Sequence, residues 1–336
     1  MSITIALAIL IAALGPAQAE EKEVEYIPDH DDLCYNYGGC EPVMRIEPGT
    51  IIKSWTEDCY DGSVKSPGDL PSKIRKPFHS NPQTGPFYIE GAEPGDTIAV
   101  TILDLQPARS FGVSSFGNRT DLLSYLTLPP ADPSASSERV WFYQVNPERG
   151  TVTYKAHDDG HSVEIPMKPF LGCIGVAPSA GEVRYSIVPG DFGGNMDTPE
   201  LGVGATVYLG VNVPGALLSF GDGHLVQGGG EVIGTAVEAA MNVKLRVELI
   251  KGRRTPWPLA ETGEWIMAIG STRPLEDAYR IALRELVLWL ERDYGFGRLD
   301  ALQLISQAGE NHISQIVDPN YTVVAKIEKK YLPAKK

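Results

Sequence analysis

The chain has 336 residues, of which 43% are hydrophobic and 21% charged, with a formal net charge of −14 at pH 7. This is the composition of an ordinary globular protein, and the length allows one large β domain or two domains. Because nucleic acids and anionic membrane surfaces repel an acidic protein, the charge argues against both as partners and is compatible with a small neutral ligand.

Residues 1–19 have the pattern of an export signal. An apolar run at residues 3–14 is followed by an A-x-A cleavage site at 17–19, although no Lys or Arg precedes the run. The run is shorter than the ~20 residues that a membrane-spanning helix needs. We expect cleavage after Ala19, a secreted or periplasmic protein, and no stable membrane insertion of the mature chain. An uncleaved amphiphilic tail or a wrongly assigned start is the alternative.

Four cysteines bear on the same question. An exported protein can form disulfides, and a Cys34–Cys40 bond would close a short loop. Cys59 is an equally good partner for either of them, so the pairing stays open. Cys173 lies in an apolar segment and is expected to be a small buried residue.

The first half of the mature chain predicts strands and turns. Residues 49–56 and 97–103 have strand patterns, and Glu93-Pro94-Gly95-Asp96 has the chemistry of a type II turn. Residues 106–138 show no sustained hydrophobic periodicity, which predicts a long surface loop. Residues 140–154 predict a hairpin.

The stretch from 207 to 238 is the most informative part of the sequence. Its first residues alternate as in a half-buried strand, and Gly221-Asp222-Gly223-His224 follows on what we expect to be a glycine-rich turn. Three glycines then precede Glu231. Asp222 and His224 are two residues apart, so in an extended segment both side chains would point to the same face.

The C-terminal part changes character. Residues 243–249 alternate once more, whereas residues 275–292 and 299–309 have helical spacing between two further strand patterns. The fold class that we predict is mainly β, a β-sandwich or barrel of the jelly-roll type with a small appended α+β unit. The predicted division is a signal at 1–19, a β domain at 20–260 and the α+β unit at 261–336.

Several blocks of this sequence together resemble the acetamidase/formamidase family. The central block is GALLSFGDGHLVQGGGEVIGTAVE at 215–238, and the others are NPQTGPFYIEGAEPGDTIAV, IGVAP, GGNMD and IVDPN. The resemblance implies hydrolysis of short aliphatic amides such as acetamide and formamide to a carboxylate and ammonia. It also implies a homo-oligomer, and it places an acidic residue near Asp58, after the first strand.

Amide hydrolysis requires an activated water or nucleophile, donors for the oxyanion and an acid for the leaving ammonia. The candidates are carboxylates, an amide and an imidazole on glycine-rich turns. We expect Glu93, Glu231, Asp222 and His224 to act in catalysis, and Asn195, Asp197 and Asp96 to bind the substrate, a small neutral amide.

A divalent metal ion, zinc or calcium, would be one way to activate the water. Asp222, His224 and Asp58 are its candidate ligands. The alternative is that Asp222 and His224 only bond to the backbone of a tight turn.

Two departures from the family pattern leave a second class of protein open. Gly229 stands where the family commonly has an acidic residue, and Gly309-Glu310 replaces a usual Gly-Asp. An exported β-sandwich that binds a small ligand without catalysis is therefore the second hypothesis. Serine nucleophile schemes are disfavoured, since no G-x-S-x-G motif is present, and an apolar setting argues against Cys173 as a nucleophile.

Overall fold

The computed structural model describes residues 22–117 and 138–335. The predicted export signal at residues 1–19 and much of the predicted surface loop at residues 106–138 lie outside the described residues. Strands dominate, and their bounds are β1 (Glu23–Tyr26), β2 (Asn36–Tyr37), β3 (Met44–Ile46), β4 (Thr50–Thr56), β5 (Gln83–Ile89), β6 (Thr97–Pro107), β7 (Phe111–Phe116), β8 (Arg139–Asn146), β9 (Thr151–Lys155), β10 (Ser162–Pro166), β11 (Phe170–Gly175), β12 (Arg184–Tyr185), β13 (Gly193–Asn195), β14 (Thr206–Gly210), β15 (Leu218–His224), β16 (Glu238–Ala239), β17 (Met241–Ile250), β18 (Leu259–Glu261), β19 (Trp265–Thr272), β20 (Glu310–Gln315) and β21 (Tyr321–Glu328). The helices are α1 (Pro71–Ile74), α2 (Leu275–Trp289), which continues as a π-helical turn (Leu290–Tyr294), and α3 (Arg298–Ala308).

Two large sheets make up the molecule. The first has nine strands in the order β1-β4-β17-β6-β14-β18-β19-β21-β20. The second runs β10-β9-β8-β7-β16-β15-β11-β13, with β5 pairing to β15 and β3 pairing to β5. Strands β2 and β12 form a small separate pair. Neither order closes into a barrel within the described ranges.

The two sheets pack face to face around one hydrophobic core. From the first sheet, Val100 on β6 and Leu245 on β17 enter it, and from the second come Phe220 on β15 and Ile174 on β11. Along β17 every second side chain is buried, as the period-2 pattern of its sequence predicts. The prediction of a mainly β sandwich is confirmed.

The C-terminal helices cover the other face of the first sheet. On β19, Met267 and Ile269 face the sandwich core, whereas Ile266 and Ala268 pack with α2 and α3 in a second, smaller core. The predicted α+β part therefore shares its sheet with the β part, because β18 pairs with β14. None of the helices in the described residues is long and apolar enough to cross a bilayer.

The prediction of a loop at the start of residues 106–138 is wrong. Residues 111–116 form β7, which pairs with β8 on one side and with β16 on the other. Val113 is the one fully buried apolar side chain of this strand, and the half-buried Phe111 packs against the same core. Gly112, Ser114 and Ser115 are small or polar, so the apolar alternation is short and weak. The structure also joins Cys34 to Cys40 in a disulfide and leaves Cys59 and Cys173 free and buried.

Candidate active site

Strand β15 carries the centre of the site through the middle of the second sheet. Asp222 and His224 point to the same face, and each is 1% exposed. The prediction of a turn for this segment is wrong, since it is a strand paired on both sides. The alternative that these residues merely close a tight turn is excluded with it.

A glycine on the neighbouring strand makes room for these side chains. A Cβ at Gly172 on β11 would lie 2.5 Å from Asp197 Oδ1 and 2.6 Å from Asp222 Oδ2. A Cβ atom does not approach non-bonded oxygens this closely, so any residue other than glycine would force the two carboxylates to move.

Three further elements bring acidic and amide side chains to this space. Glu238 on β16 lies directly across from His224, with 3.1 Å between its Oε2 and the imidazole Nε2. Asp197 follows β13, and its Oδ1 lies 4.0 Å from the same nitrogen. Glu231 comes from the glycine-rich loop, and one of its oxygens lies within 4.8 Å of ligand atoms of Asp197 and His224.

Two asparagines orient the carboxylates. The amide of Asn81 donates to Asp222 Oδ2 at 2.9 Å and to Asn195 Oδ1 at 3.0 Å. The amide of Asn195 in turn donates to Asp197 Oδ2 at 2.9 Å and to Asp318 Oδ2 at 2.7 Å. The carboxylate positions are therefore set by a continuous chain of hydrogen bonds.

The hydrogen-bond network also assigns the tautomer of His224. Gln227 Nε2 donates to two backbone carbonyls, of Asp197 at 2.8 Å and of Ser314 at 3.0 Å, which turns its Oε1 towards His224. That oxygen lies 2.9 Å from His224 Nδ1, so Nδ1 carries the proton. Nε2 is left to bind a second proton or a cation.

The backbone at the site adopts a conformation that L-residues seldom use. Asn81, Asp197, Asp222 and Glu231 have φ of 49°, 45°, 56° and 47°, among nine positive-φ residues other than glycine in the described ranges. Such residues cost free energy and cluster at functional sites. Four of nine in one cluster supports a functional role for it.

The electrostatics of the cluster are unbalanced. In the described part of the chain, no Lys or Arg forms an ion pair with Asp197, Asp222, Glu231 or Glu238. Burial raises the pKa of Asp197, Glu231 and Glu238. Burial by itself lowers the pKa of His224, but the carboxylates of Glu238 and Asp222 outweigh it and raise the pKa above its ordinary value. The cluster therefore attracts positive charge, either protons or a cation.

The donor atoms fit a divalent cation. Ligand atoms of Asp197, His224 and Glu231 lie within 4.8 Å of one another. Asp197 Oδ1 is buried without a hydrogen-bond partner, and His224 Nε2 faces the carboxylate oxygens of Glu238 and Asp222 at 3.1 Å and 3.4 Å. Unpaired buried polar atoms cost about 1–3 kcal/mol each, which a bound ion would remove.

A cavity of about 570 Å³ opens onto the cluster. Asn81, Asn195, Asp222, Glu231 and Glu238 are among its lining residues, whereas Asp197 and His224 are not. This size is within the range of small-molecule sites in proteins, so the cluster is accessible to a ligand.

Three of the predicted site residues lie elsewhere. Glu93 is exposed on the turn before β6, and Asp96 on the same turn accepts hydrogen bonds from Glu93 N, Lys251 Nζ and Gly252 N. Neither lines the cavity. The turn chemistry of this segment explains both acidic residues.

Asp58 also stays outside the cluster. Its Oδ2 pairs with Arg109 at 2.8 Å, and its Oδ1 accepts from the backbone of Tyr60 and Gly62. Burial and the neighbouring Glu57 raise its pKa. Both oxygens have partners within the protein, and Asp58 does not line the cavity.

The sequence analysis missed Asn81, Glu238 and Asp318 as site residues. Asn81 and Asp318 each lie in a block that resembles the family, NPQTG and IVDPN, and that signal was sufficient to find them. Glu238 is the last residue of the central block at 215–238, so the resemblance covered it too, although only strand pairing places it beside His224. Among the described residues, the one heavy atom within 4 Å of a Cβ built on Gly229 is Ile313 O, at 3.7 Å, so no side chain of the cluster borders this position.

Comparison with known proteins agrees with this geometry. The sequence matches the Acetamidase/Formamidase family over residues 36–184 and 180–330. The structure is similar to that of an acetamidase from Yersinia enterocolitica, with 37% identity, a TM-score of 0.83 and coverage of 94% of both chains. It is also similar to an acetamidase from Bacillus halodurans, with 29% identity, a TM-score of 0.81 and coverage of 92% of this chain and 98% of that one.

A curated relative gives a shorter match. The acetamidase of Mycolicibacterium smegmatis is 26% identical over 261 residues, which is 62% of this chain, and the match spans 63% of that protein's length. The family match nevertheless covers most of this chain in two adjoining segments, and the solved structures cover nearly all of it. The chain belongs to the acetamidase/formamidase family.

Proposed function

We propose that this protein hydrolyses short aliphatic amides, such as formamide and acetamide, to ammonia and the carboxylate. The observation that carries the proposal is the buried group of carboxylates around His224, of which Asp222, Glu231 and Glu238 line a cavity and Asp197 and Asp222 each keep an oxygen without a hydrogen-bond partner. The membership of the family and the names of its relatives support the choice of amides.

A small amide suits a rigid site of this kind. Acetamide has about four heavy atoms, so its binding free energy cannot exceed roughly −6 kcal/mol at −1.5 kcal/mol per atom. Remote contacts contribute little, and the rate must come from groups held in place before the substrate arrives. The hydrogen bonds from Asn81 and Asn195 provide such positioning.

We further propose that Asp197, His224 and Glu231 hold a divalent cation. When bound, the cation supplies Lewis acidity and makes water reactive near neutral pH. An imidazole among the ligands favours zinc over calcium, which prefers oxygen ligands alone. Gln227 contributes by fixing the His224 tautomer that leaves Nε2 free.

The proton steps fall to the carboxylates that line the cavity. Glu238 lines the cavity and is not a ligand of this cation. Burial raises its pKa, which favours the protonated acid that can pass a proton to the leaving ammonia. Asp222 also lines the cavity; Asn81 holds its Oδ2, and its Oδ1 has no hydrogen-bond partner.

The test is ammonia release from formamide, acetamide, propionamide and butyramide, before and after treatment with a chelator. We expect turnover that the chelator removes and that zinc restores. His224→Ala and Asp222→Asn should each lower kcat at least about 10³-fold, the size of effect that loss of a group central to the chemistry produces.

Glu93→Gln is the matched control, since Glu93 is an exposed acidic residue outside the cavity. It should keep close to full activity. If none of the amides were hydrolysed, the result would contradict the proposed function and favour the alternative of a ligand-binding protein. If hydrolysis continued in the presence of the chelator, the result would contradict the proposed cation but not the amidase activity.

A further inference from the structure

A second group of metal-ligating side chains lines the cavity beside the first. Ligand atoms of Cys59, Asp222 and Glu238 lie within 4.8 Å of one another, and the three residues are 6%, 1% and 2% exposed. Cys59 comes from the segment after β4, and the other two from β15 and β16. All three line the 570 Å³ cavity.

Asp222 and Glu238 each direct one oxygen to the protein. Asp222 Oδ2 accepts from Asn81 at 2.9 Å, and Glu238 Oε1 accepts from the backbone N–H of Ala236 at 2.7 Å. Asp222 Oδ1 is buried without a hydrogen-bond partner, and Glu238 Oε2 faces His224 Nε2 at 3.1 Å. A buried charged oxygen without a partner is especially costly, so Asp222 Oδ1 points to a ligand.

This group is distinct from Asp197, His224 and Glu231, with which it shares no residue. Each group has its own buried oxygen without a hydrogen-bond partner, Asp197 Oδ1 in the first and Asp222 Oδ1 in the second. The groups adjoin, since His224 Nε2 lies 3.4 Å from Asp222 Oδ2 and 3.1 Å from Glu238 Oε2. Their four carboxylates have no Lys or Arg partner among the described residues, so a cation can replace protons there, and Glu238 then serves as a ligand in place of a proton donor.

We propose that Cys59, Asp222 and Glu238 hold a second divalent cation of borderline-soft character, with zinc as its chemical type. A thiolate with two carboxylates suits zinc or cobalt, whereas calcium and magnesium prefer all-oxygen sites. The inference extends the proposed function, but it concerns metal binding and does not require amide turnover.

Cys173 provides a matched control. It is the other free cysteine in the described residues, it is equally buried, and its Sγ lies 3.8 Å from Asp222 Oδ2. Its thiol already donates to Asn195 Oδ1 at 2.8 Å, so it has a hydrogen-bond partner within the protein. Cys34 and Cys40 are joined to each other and cannot ligate a metal.

The experiment loads the full chain with Co²⁺ and measures two quantities. The first is the metal-to-protein ratio, determined by inductively coupled plasma mass spectrometry. The second is the thiolate-to-cobalt charge-transfer absorption in the near ultraviolet. We expect two equivalents of cobalt and a thiolate band. Cys59→Ser should lose one equivalent and the band, while Cys173→Ser should keep both.

A second variant guards against misfolding. Cys59→Ala is tested beside Cys59→Ser, and the melting temperature of each metal-free variant is compared with that of the metal-free wild type. One equivalent of metal in the wild type, no thiolate band, or a band that survives in a folded Cys59 variant would each overturn the proposal. Two equivalents and a band in a protein without amide turnover would support this site and refute the proposed reaction.

Discussion

At the scale of single residues, the site depends on a glycine, Gly172, which has no side chain where Asp197 and Asp222 meet. The backbone does not require a glycine at this position, since the φ of Gly172 is not positive. Its role is to keep open the space that the carboxylates occupy. Substitution there tests the geometry of the cluster without removing any of its functional groups.

Gly172→Ala should lower kcat/KM about 10²-fold, which corresponds to roughly 3 kcal/mol. The added methyl group would lie 2.5 Å from Asp197 Oδ1 and 2.6 Å from Asp222 Oδ2, so both carboxylates must move. Steady-state kinetics on acetamide measure the effect. Gly263→Ala is the control, because its Cβ meets no atom within 4 Å and should leave the rate unchanged. Equal rates for the two variants would show that the carboxylates tolerate displacement.

At the scale of elements, β20 and β21 are tied to the segment that follows Asp197. Glu200 lies between His312 on β20 and Lys326 on β21, with contacts of 3.4 Å and 2.9 Å. Burial by itself raises the pKa of Glu200, but these two partners outweigh it and lower the pKa from 4.5 to about 2. The ion pairs thus link the edge of the first sheet to the site.

A lowered pKa in the folded state gives stability that is present above the unfolded pKa and is lost as pH falls through the folded one. Glu200→Gln should therefore lower the free energy of unfolding at pH 7 by about 1–3 kcal/mol. The difference from wild type should shrink as pH falls from about 5 to about 2. Denaturant unfolding over this pH range is the measurement.

Glu310→Gln is the matched control for this ion pair. Glu310 also approaches Lys326, at 3.7 Å, but its side chain is 61% exposed, so its loss should cost less than about 1 kcal/mol. A Glu200 variant with a pH-independent deficit would contradict the pKa argument and leave only a packing effect.

At the scale of the whole molecule, the sandwich gathers residues from distant parts of the chain into one cavity. Asn81 and Asp318 are 237 positions apart in the sequence, yet both contact Asn195 (318 − 81 = 237). The second sheet contributes most of the site, and its rigidity places the carboxylates before a ligand binds. The remaining question at this scale is where the mature chain begins.

We propose that residues 1–19 are removed on export, which the A-x-A pattern and the Cys34–Cys40 disulfide support. When the full chain is expressed in a bacterium with a secretory pathway, the measured mass of the exported protein should correspond to a chain that starts at Glu20. Ala19→Leu should block cleavage, because the cleavage site requires a small residue there. A full-length mass for the wild type would contradict export by cleavage.

The sequence by itself determined the features that repeat within a few residues of one another. Strand β17 and helices α2 and α3 were predicted close to their observed bounds, because a hydrophobic period of 2 or 3.6 is a local property. The same period places Asp222 and His224 on one face. Family resemblance then identified the blocks that carry Asn195, Asp197 and Glu231.

Only the tertiary structure decided which acidic residues form the cluster. Glu93 and Glu238 both lie beside strand-like segments, but Glu238 meets His224 because β16 pairs with β15, and Glu93 stays on an exposed turn. Strand β7 was missed because its polar and small residues fit between two neighbours that lie far away in the sequence. Strand pairing joins distant segments, and the local pattern of a sequence carries no information about which of them will meet.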